Sequence, residues 1–427
     1  VYAKVWAVLD EECRLGRLSS PDCGLTDSQS MSFAVYIAAR YQSQYSLLGA
    51  MAAQIGEAFT RAGCPVRPIE EARSGPGLAL FLNFPADIKT LGAAADPESG
   101  LSLVQLLVDH PLAIHAPSMD VLARLPHYRL ALPCVDSLHL LRLRWPGLRH
   151  AHLLHGVPPQ ALADAPTIEA THMKTAEQGG RDIDVCVAGT IHPAAELDAV
   201  WRNLPDNLRP GLQDMVDLLL ASPHTTFEQA ADVIMGPRGV FTGDWPLLST
   251  LWRIVTMTVN TRRRVAITRS LQGLRVSVFG PPAWQEVCTG TLRYAGDVDY
   301  ARVSEPLCRS RVSIAWGPTQ FAHSFSERVL LSLAAGCATV ADDRLLQRTY
   351  FRVAVPGGST NGAHLGVFAA QRPEQCRAWV ELLLADRETC GQWGAAGRGL
   401  VASGHMWDHR LPGLAALAAD ATPKGST

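Results

Sequence analysis

The chain has 427 residues, 47% of them hydrophobic and 18% charged, with a formal net charge of −2. That length exceeds one ordinary hydrophobic core and predicts two domains. The composition excludes a disordered chain, and the near-neutral charge excludes a broad basic surface for nucleic acid.

Residues 1–30 are polar and irregular. From Ser32 onward the pattern alternates strand and helix. Residues 32–38 read as a short buried strand. Leu48, Met51, Ala52, Ile55, Ala58 and Phe59 then recur at helical spacing until Gly63. Strands are expected at 65–69 (weak), 78–82, 103–108, 128–135 and 150–154, with helices near 119–125 and 137–144. Strands buried on both faces and separated by helices predict a parallel α/β sheet. Residues 156–181 carry little periodicity and hold the expected domain boundary. A second α/β unit opens at Asp184-Val185-Cys186-Val187-Ala188-Gly189-Thr190. Residues 194–268 read as helical almost throughout. Strands return at 274–280 and 311–315, followed by a helix over 326–335, a strand at 337–340 and terminal helices over 374–385 and 388–403. Ligands in such sheets sit at the carboxyl ends of the strands, and two such domains facing each other would form a cleft.

The ten cysteines are scattered singly without a CxxC pair, which argues against a zinc ribbon or a dithiol redox motif. Cys134, Cys186 and Cys337 lie in apolar runs and are expected as buried free thiols. Cys13 and Cys23 are the two positioned to bridge in an oxidising compartment. No basic segment followed by an apolar run opens the chain, and no apolar run approaches the ~20 residues of a membrane span, so a cytoplasmic protein is expected.

The most informative stretch runs from His323 to Asp342. Ser326 is the expected N-cap of a helix whose free amides and positive dipole end suit a diphosphate. Arg328 would add a forked contact to phosphate oxygens. Glu327 would accept hydrogen bonds from ribose or sugar hydroxyls. The plainer alternative makes Glu327 a favourable first-turn acid and Arg328 its surface partner.

The segment from Leu292 to Asp343 resembles the C-terminal domain of GT-B glycosyltransferases, especially the bacterial CgeB-like, group 1-like proteins. The resemblance rests on Tyr294-Ala295-Gly296-Asp297-Val298-Asp299-Tyr300, on Ser310-Arg311-Val312, and on Arg328 to Gly336. Gly397-Arg398, His405-Met406-Trp407 and His409-Arg410 match the closing signature. Val185 to Thr190 matches the opening strand of that domain. Val108-Asp109-His110-Pro111 and Leu153-Leu154-His155-Gly156 sit where those proteins have related motifs. The likeness covers roughly residues 100–415.

It implies two Rossmann-like parallel-sheet domains, with a helical segment between the first strands of the second. The expected division is an irregular segment 1–30, an acceptor-side domain 31–160, a linker 161–181 and a nucleotide-sugar domain 182–403 whose helical portion is 194–268. A segment 404–420 is free to cross back to the first domain. The implied donor is a UDP-, GDP- or dTDP-sugar, with no other cofactor and no metal. The implied acceptor is a glycan, a lipid-linked saccharide, a protein or a small molecule, with peripheral membrane association left open. The family's ribose-binding Glu falls on Leu331, and Glu327, one helical turn earlier on the same face, is the substitute.

On the donor side, Gly189 and Thr190 end one strand and Gly280 ends the next, where a glycine lets a pyrophosphate approach the backbone. His323 lies in the donor loop. Asp297-Val298-Asp299 and Asp182-Ile183-Asp184 resemble a metal-binding DxD but lack further oxygen ligands. On the acceptor side, Asp109 and His110 follow an apolar strand and are the candidate general bases, ahead of His155. Asn260-Thr261-Arg262-Arg263-Arg264 reads as a solvated helix face or as a phosphate contact. Two other functions compete with sugar transfer: epimerisation of a nucleotide sugar, and a non-catalytic binding or scaffold role suggested by Leu331.

Overall fold

The computed structural model describes residues 33–38, 46–83, 88–113, 116–163, 181–238 and 244–419. Cys13 and Cys23, segment 1–30 and most of the expected linker lie outside them. The chain divides into two units, Val1–Pro158 with His405–Thr427, and Pro159–Gly404.

The first unit is built on a six-stranded sheet in the order β2-β1-β3-β4-β5-β6. Its strands are β1 (Ala34–Ile37), β2 (Val66–Pro68), β3 (Gly77–Leu82), β4 (Leu101–Leu106), β5 (Tyr128–Leu132) and β6 (His150–His152). Every pairing is parallel. A parallel sheet must be covered on both faces, which is why β4 and β5 are buried at every position. Helix Leu47–Arg61 buries Leu48, Met51, Ala52, Ile55 and Phe59 along one stripe, as its spacing predicts. Gly63 ends it at φ 83°. Each fully buried Leu, Ile or Phe of this kind contributes ~1.5–3 kcal/mol.

The end of the chain completes this unit. The amide of Val157 donates to the carbonyl of His405 at 3.1 Å, and the amide of Trp407 donates to Val157 at 3.0 Å. A Cβ on Gly156 would stand 2.7 Å from the Trp407 backbone, so only glycine fits there. Helix Leu411–Ala419 buries Leu411, Leu414 and Ala418, and Ser102 Oγ donates to the Ala418 carbonyl at 2.6 Å.

The second unit holds a seven-stranded sheet in the order β12-β13-β11-β10-β7-β8-β9. Its strands are β7 (Ile183–Ala188), β8 (Val276–Phe279), β9 (Leu292–Gly296), β10 (Ser310–Ala315), β11 (Ala338–Asp342), β12 (Val353–Ala354) and β13 (Leu365–Phe368). All pairings are again parallel. Val185, Val187, Val278, Val312, Ile314 and Val340 pack with Trp284, Trp379 and Trp393 in one core.

The stretch expected to be helical almost throughout is four helices: Ala194–Arg202, Arg209–Ala221, Phe227–Ile234 and Trp245–Ser270. Pro205, Pro223 and Pro237 fall in the breaks, where a missing N–H and ring clash stop the ladder. Thr226 restarts it with a capping box: its Oγ accepts from the Gln229 amide at 3.2 Å, and Gln229 Oε1 accepts from the Thr226 amide at 3.1 Å. Among the described residues no helix is long and apolar enough to cross a membrane.

Candidate active site

Strand order reverses between β7 and β10 in the second sheet and between β1 and β3 in the first. Ligand crevices in open parallel sheets form at the carboxyl edge of such reversals. Asp109, His110, Gly189, Thr190 and Gly280 lie just after strands on that edge and Ser326, Glu327 and Arg328 at a helix start there, whereas Asp182 and Asp184 lie at the opposite end of β7 and Arg262 to Arg264 inside a helix.

In the second unit, β7 runs into Gly189 and β10 runs into Trp316. A Cβ on Gly189 would lie 3.1–3.4 Å from the Trp316 indole. Gly280 has φ 149°, and a Cβ there would lie 2.2 Å from the Gly189 carbonyl oxygen. Trp284 Nε1 donates to that same carbonyl at 2.6 Å. A side chain at either glycine would meet protein, the Gly189 carbonyl in one case and the Trp316 indole in the other. The Thr190 carbonyl accepts a bond from Arg264 Nη1.

Helix Glu327–Ala334 starts where its sequence predicts, with Ser326 at the N-cap in an extended conformation. No side chain caps it. Ser326 is buried, and its Oγ finds no partner. Glu327 is only 7% exposed. Arg328 places Nε 4.0 Å from Glu327 Oε1, a distance too long for a firm pair, and its Nη1 is buried without a hydrogen bond. Leu331 is buried on the same face and contributes packing only.

Around this helix start stand groups that sequence reading missed or misjudged. Arg263 and Arg264 are buried, not a solvated face, while Arg262 alone of the three is exposed. Burial, and then the nearby Arg328, pull the Arg264 guanidinium down to about 9, while Asp342 and Glu327 oppose the shift. It stays cationic at neutral pH. Its guanidinium lies 6.0 Å from the centre of the Trp316 ring. The Trp316 Nε1 and Tyr300 Oη are also buried without partners. Burial first, and then Glu327, hold the Tyr300 phenol well above its ordinary range, so it is a neutral donor. The signal for Arg264 was in the basic run. Trp316 and Tyr300 had none, because neither is close in sequence to the helix it faces.

Just before Tyr300, at the ends of β8 and β9, a cleft of about 330 Å³ is lined by Phe279, Ala295, Asp297, Asp299, Arg302 and Arg309 among others. Asp297 Oδ1 accepts from the Val298 amide at 2.9 Å. The other acidic pair is occupied elsewhere: Asp182 pairs with Arg309, and Asp184 with Arg275 at 2.6 Å.

His323 is buried and stacks on His224, ring centres 6.1 Å apart. Burial, and then Arg344, push His224 below its ordinary range. His323 thus anchors the loop before the helix. In the first unit, Asp109 is half-buried beyond β4 and accepts a bond from Asn83 Nδ2 at 2.7 Å. His110 is buried, and its Nδ1 accepts from the Leu112 amide at 3.1 Å, which fixes the turn after Asp109. His155 is buried, with its carbonyl taking Arg410 Nε at 3.2 Å.

Residues 262–416 match the family model described as Glycosyl transferase-like. No curated protein matches the chain by sequence. Among solved structures the chain is similar to sucrose-phosphate synthase from Thermosynechococcus elongatus, at 10% identity and TM-score 0.43 over 88% of this chain and 79% of that one. It is also similar to a glycosyltransferase from Rickettsia africae, at 7% identity and TM-score 0.44 over 92% and 100% of the two chains. Anabaena HepE in complex with UDP is a third, at 10% identity and TM-score 0.43 over 90% and 98%. The family match begins on the helix that carries Arg264 and takes in β8 to β13, so it covers most of the residues gathered at the carboxyl edge of the second sheet. The matched segment, residues 262–416, is thus glycosyl transferase-like, in a chain built as two parallel-sheet α/β units.

Proposed function

We propose that this protein is a glycosyltransferase that takes its sugar from a nucleoside diphosphate, bound by the second unit without a metal ion. One observation carries the reading. Ser326 Oγ, Trp316 Nε1, Tyr300 Oη and Arg328 Nη1 are buried donors with no acceptor; Trp316 lies beside the buried Arg264, and Tyr300 and Arg328 lie near Glu327 at the helix start. Buried donors without acceptors are costly, and a diphosphate supplies many strong acceptors and negative charge at once.

The nucleoside is assigned to the cleft beside Phe279 and Asp297, which adjoins Tyr300 in sequence. Glu327 accepts from a ribose or sugar hydroxyl. The acceptor is assigned to the first unit, with Asp109 as its base and His110 holding the turn. In the reaction the acceptor oxygen attacks the anomeric carbon. The bond from that carbon to the diphosphate oxygen breaks, and its electron pair leaves with the nucleoside diphosphate. The hydroxyl proton passes to Asp109. Arg264, Arg328 and the helix start stabilise the charge that grows on the leaving group. Donor amides and fixed guanidinium groups replace the Lewis acid that another fold would use.

Titration calorimetry with UDP, GDP, dTDP, CDP and ADP tests the reading. One of them should bind, and the matching nucleotide sugar should release nucleoside diphosphate faster when an acceptor is added. Absence of binding by all five would remove the proposal. Acceptor-independent release of free nucleotide would replace transfer with epimerisation.

A further inference from the structure

Among the described residues, the two non-glycine residues with positive φ are Ser46 and Asn83. Asn83 ends β3, one of the two strands at the order reversal of the first sheet. At φ 51° it holds a conformation that costs most side chains and suits Asn among the few. It is 7% exposed. Its carboxamide is bonded through both its oxygen and its nitrogen. Oδ1 accepts from the Val108 amide at 2.7 Å and the Asp109 amide at 3.0 Å. Nδ2 donates to Asp109 Oδ2 at 2.7 Å. Its backbone is held in turn: its amide donates to the Leu106 carbonyl at 2.9 Å, its carbonyl accepts from Gln105 Nε2, and Gln105 Oε1 accepts from the Tyr128 hydroxyl. Gln105 is fully buried and Tyr128 nearly so.

A line of buried polar groups thus runs Tyr128, Gln105, Asn83 and reaches the half-buried carboxylate of Asp109. Buried networks of this kind are costly unless complete, and complete ones fix a geometry. A strained backbone held by many bonds marks a place where geometry matters. We propose that Asn83 is a positioning residue for Asp109: it orients the carboxylate, through Oδ2, toward an acceptor hydroxyl, and Gln105 and Tyr128 lock Asn83 in place. This rests on the reading of Asp109 as the base.

The Asn83→Gly variant keeps the left-handed backbone and removes only the carboxamide. The assay reads nucleoside diphosphate released from whichever UDP-, GDP- or dTDP-sugar the protein turns over. We expect kcat to fall ~10–100-fold, the range in which misplacing a catalytic group operates, with KM for the donor within about twofold. The acid limb of the pH profile should move up, since a donor that favours the ionised carboxylate is lost. Asn83→Asp keeps the acceptors for both amides but sets a second carboxylate against Asp109, and should move that limb further up. Tyr128→Phe, which deletes one hydroxyl at the far end, should give a smaller fall of the same kind. Carbon-13 carboxylate NMR of wild type against Asp109→Asn identifies the Asp109 signal and its titration without any substrate, and Asn83→Gly should shift that titration upward.

An Asn83→Gly protein that folds, keeps kcat within about twofold and leaves the Asp109 titration unmoved overturns the proposal. Should Asn83→Gly fail to fold, an unmoved acid limb and an unchanged kcat in Tyr128→Phe overturn it. Wild-type turnover by Asp109→Asn removes the base reading and the proposal with it. Failure of every donor to react removes the transferase reading, while the NMR titration still decides whether Asn83 governs the carboxylate.

Discussion

The carboxylate of Asp342 is divided between two partners: Oδ1 takes the amide of Gly317 at 2.6 Å, and Oδ2 takes Nε of Arg344 at 2.9 Å. Arg344 is fully buried. Its Nη1 donates to the carbonyls of Pro223 at 3.0 Å and Ala322 at 3.1 Å, and its Nη2 to Gly317 at 3.1 Å. One guanidinium therefore ties the end of β11 to the turn after β10, to the loop ahead of Ser326, and to the break between two helices. Arg344→Lys keeps the charge but cannot reach three carbonyls in a fork. We expect it to destabilise the protein by ~3–5 kcal/mol, the range for breaking a buried pair, read as a lower denaturant midpoint. Nucleotide affinity should fall with it, because the loop before the helix loses its anchor.

Tyr300→Phe and Ser326→Ala each remove a buried hydroxyl that has no partner in the ligand-free protein. Deleting an unsatisfied group costs nothing and relieves its desolvation. The melting temperature without ligand should stay level or rise. Affinity for the nucleoside diphosphate, read by calorimetry, should fall by ~1 kcal/mol, about fivefold, for each. Lower ligand-free stability with unchanged affinity would count against a diphosphate at this place.

Arg264→Ala removes the buried cation beside Trp316. It should weaken nucleoside diphosphate binding at least tenfold, since a charged hydrogen bond is worth ~1.5–3 kcal/mol. Ligand binding should also raise the melting temperature less: a gain of ~2.7 kcal/mol at a hundredfold excess over Kd falls to about 1.4 kcal/mol at the same ligand concentration after a tenfold loss of affinity. Free-enzyme stability should change less, because burial already disfavours this charge.

Two adjacent glycines should respond differently to the same change. Gly280→Ala drives a methyl to within 2.2 Å of a carbonyl oxygen at a backbone angle that alanine avoids. Gly189→Ala meets an indole at 3.1–3.4 Å, which can yield a few tenths of an ångström. We expect the first to cost more than ~3 kcal/mol and the second ~1–3 kcal/mol, as for overpacking. Chemical denaturation of the two variants side by side gives the comparison.

His152 supplies a pH dependence of stability. It is buried, with Nε2 3.2 Å from the Pro133 carbonyl. Burial pulls it from its ordinary 6.5 to about 4, with Arg410 and His155 adding to the fall. Between those values the unfolded chain binds a proton that the native protein refuses, so stability is fully present above about pH 6.5 and is lost as pH falls toward 4. The loss amounts to roughly 3 kcal/mol. His152→Gln should flatten that acid slope in denaturation curves measured from pH 7 down to about 4.

Much of this arrangement could be read from residues in order. The repeated buried strands gave the α/β class, and Ser326-Glu327-Arg328 before an apolar run marked the helix start at its observed place. Leu365–Phe368 went unread because four residues after a polar turn carry too little pattern to separate a strand from a loop. Leu292–Gly296 went unread as a strand because it lies at the sheet edge and is half exposed. Arg263 and Arg264 looked like a solvated face, since a run of charges carries no sign of the core it enters. Trp316, Tyr300 and Asn83 depend on strand order, which fixes who meets whom across the carboxyl edge. Asn83 follows an unremarkable apolar strand, and only its backbone angle and its bonds to residues 108 and 109 reveal it.

The return of residues 405–419 to the first unit has a consequence for biosynthesis. Helix Leu411–Ala419 and the Val157–Met406 bridge belong to a body whose other strands leave the ribosome hundreds of residues earlier. The second unit, contiguous from Pro159 to Gly404, has all its strands before that helix is translated. A nascent chain must therefore carry the apolar face under Leu411 and Leu414 uncovered for most of translation. Stop codons placed after Gly404 should yield a protein whose second unit folds and whose first unit is prey to chaperones and proteases.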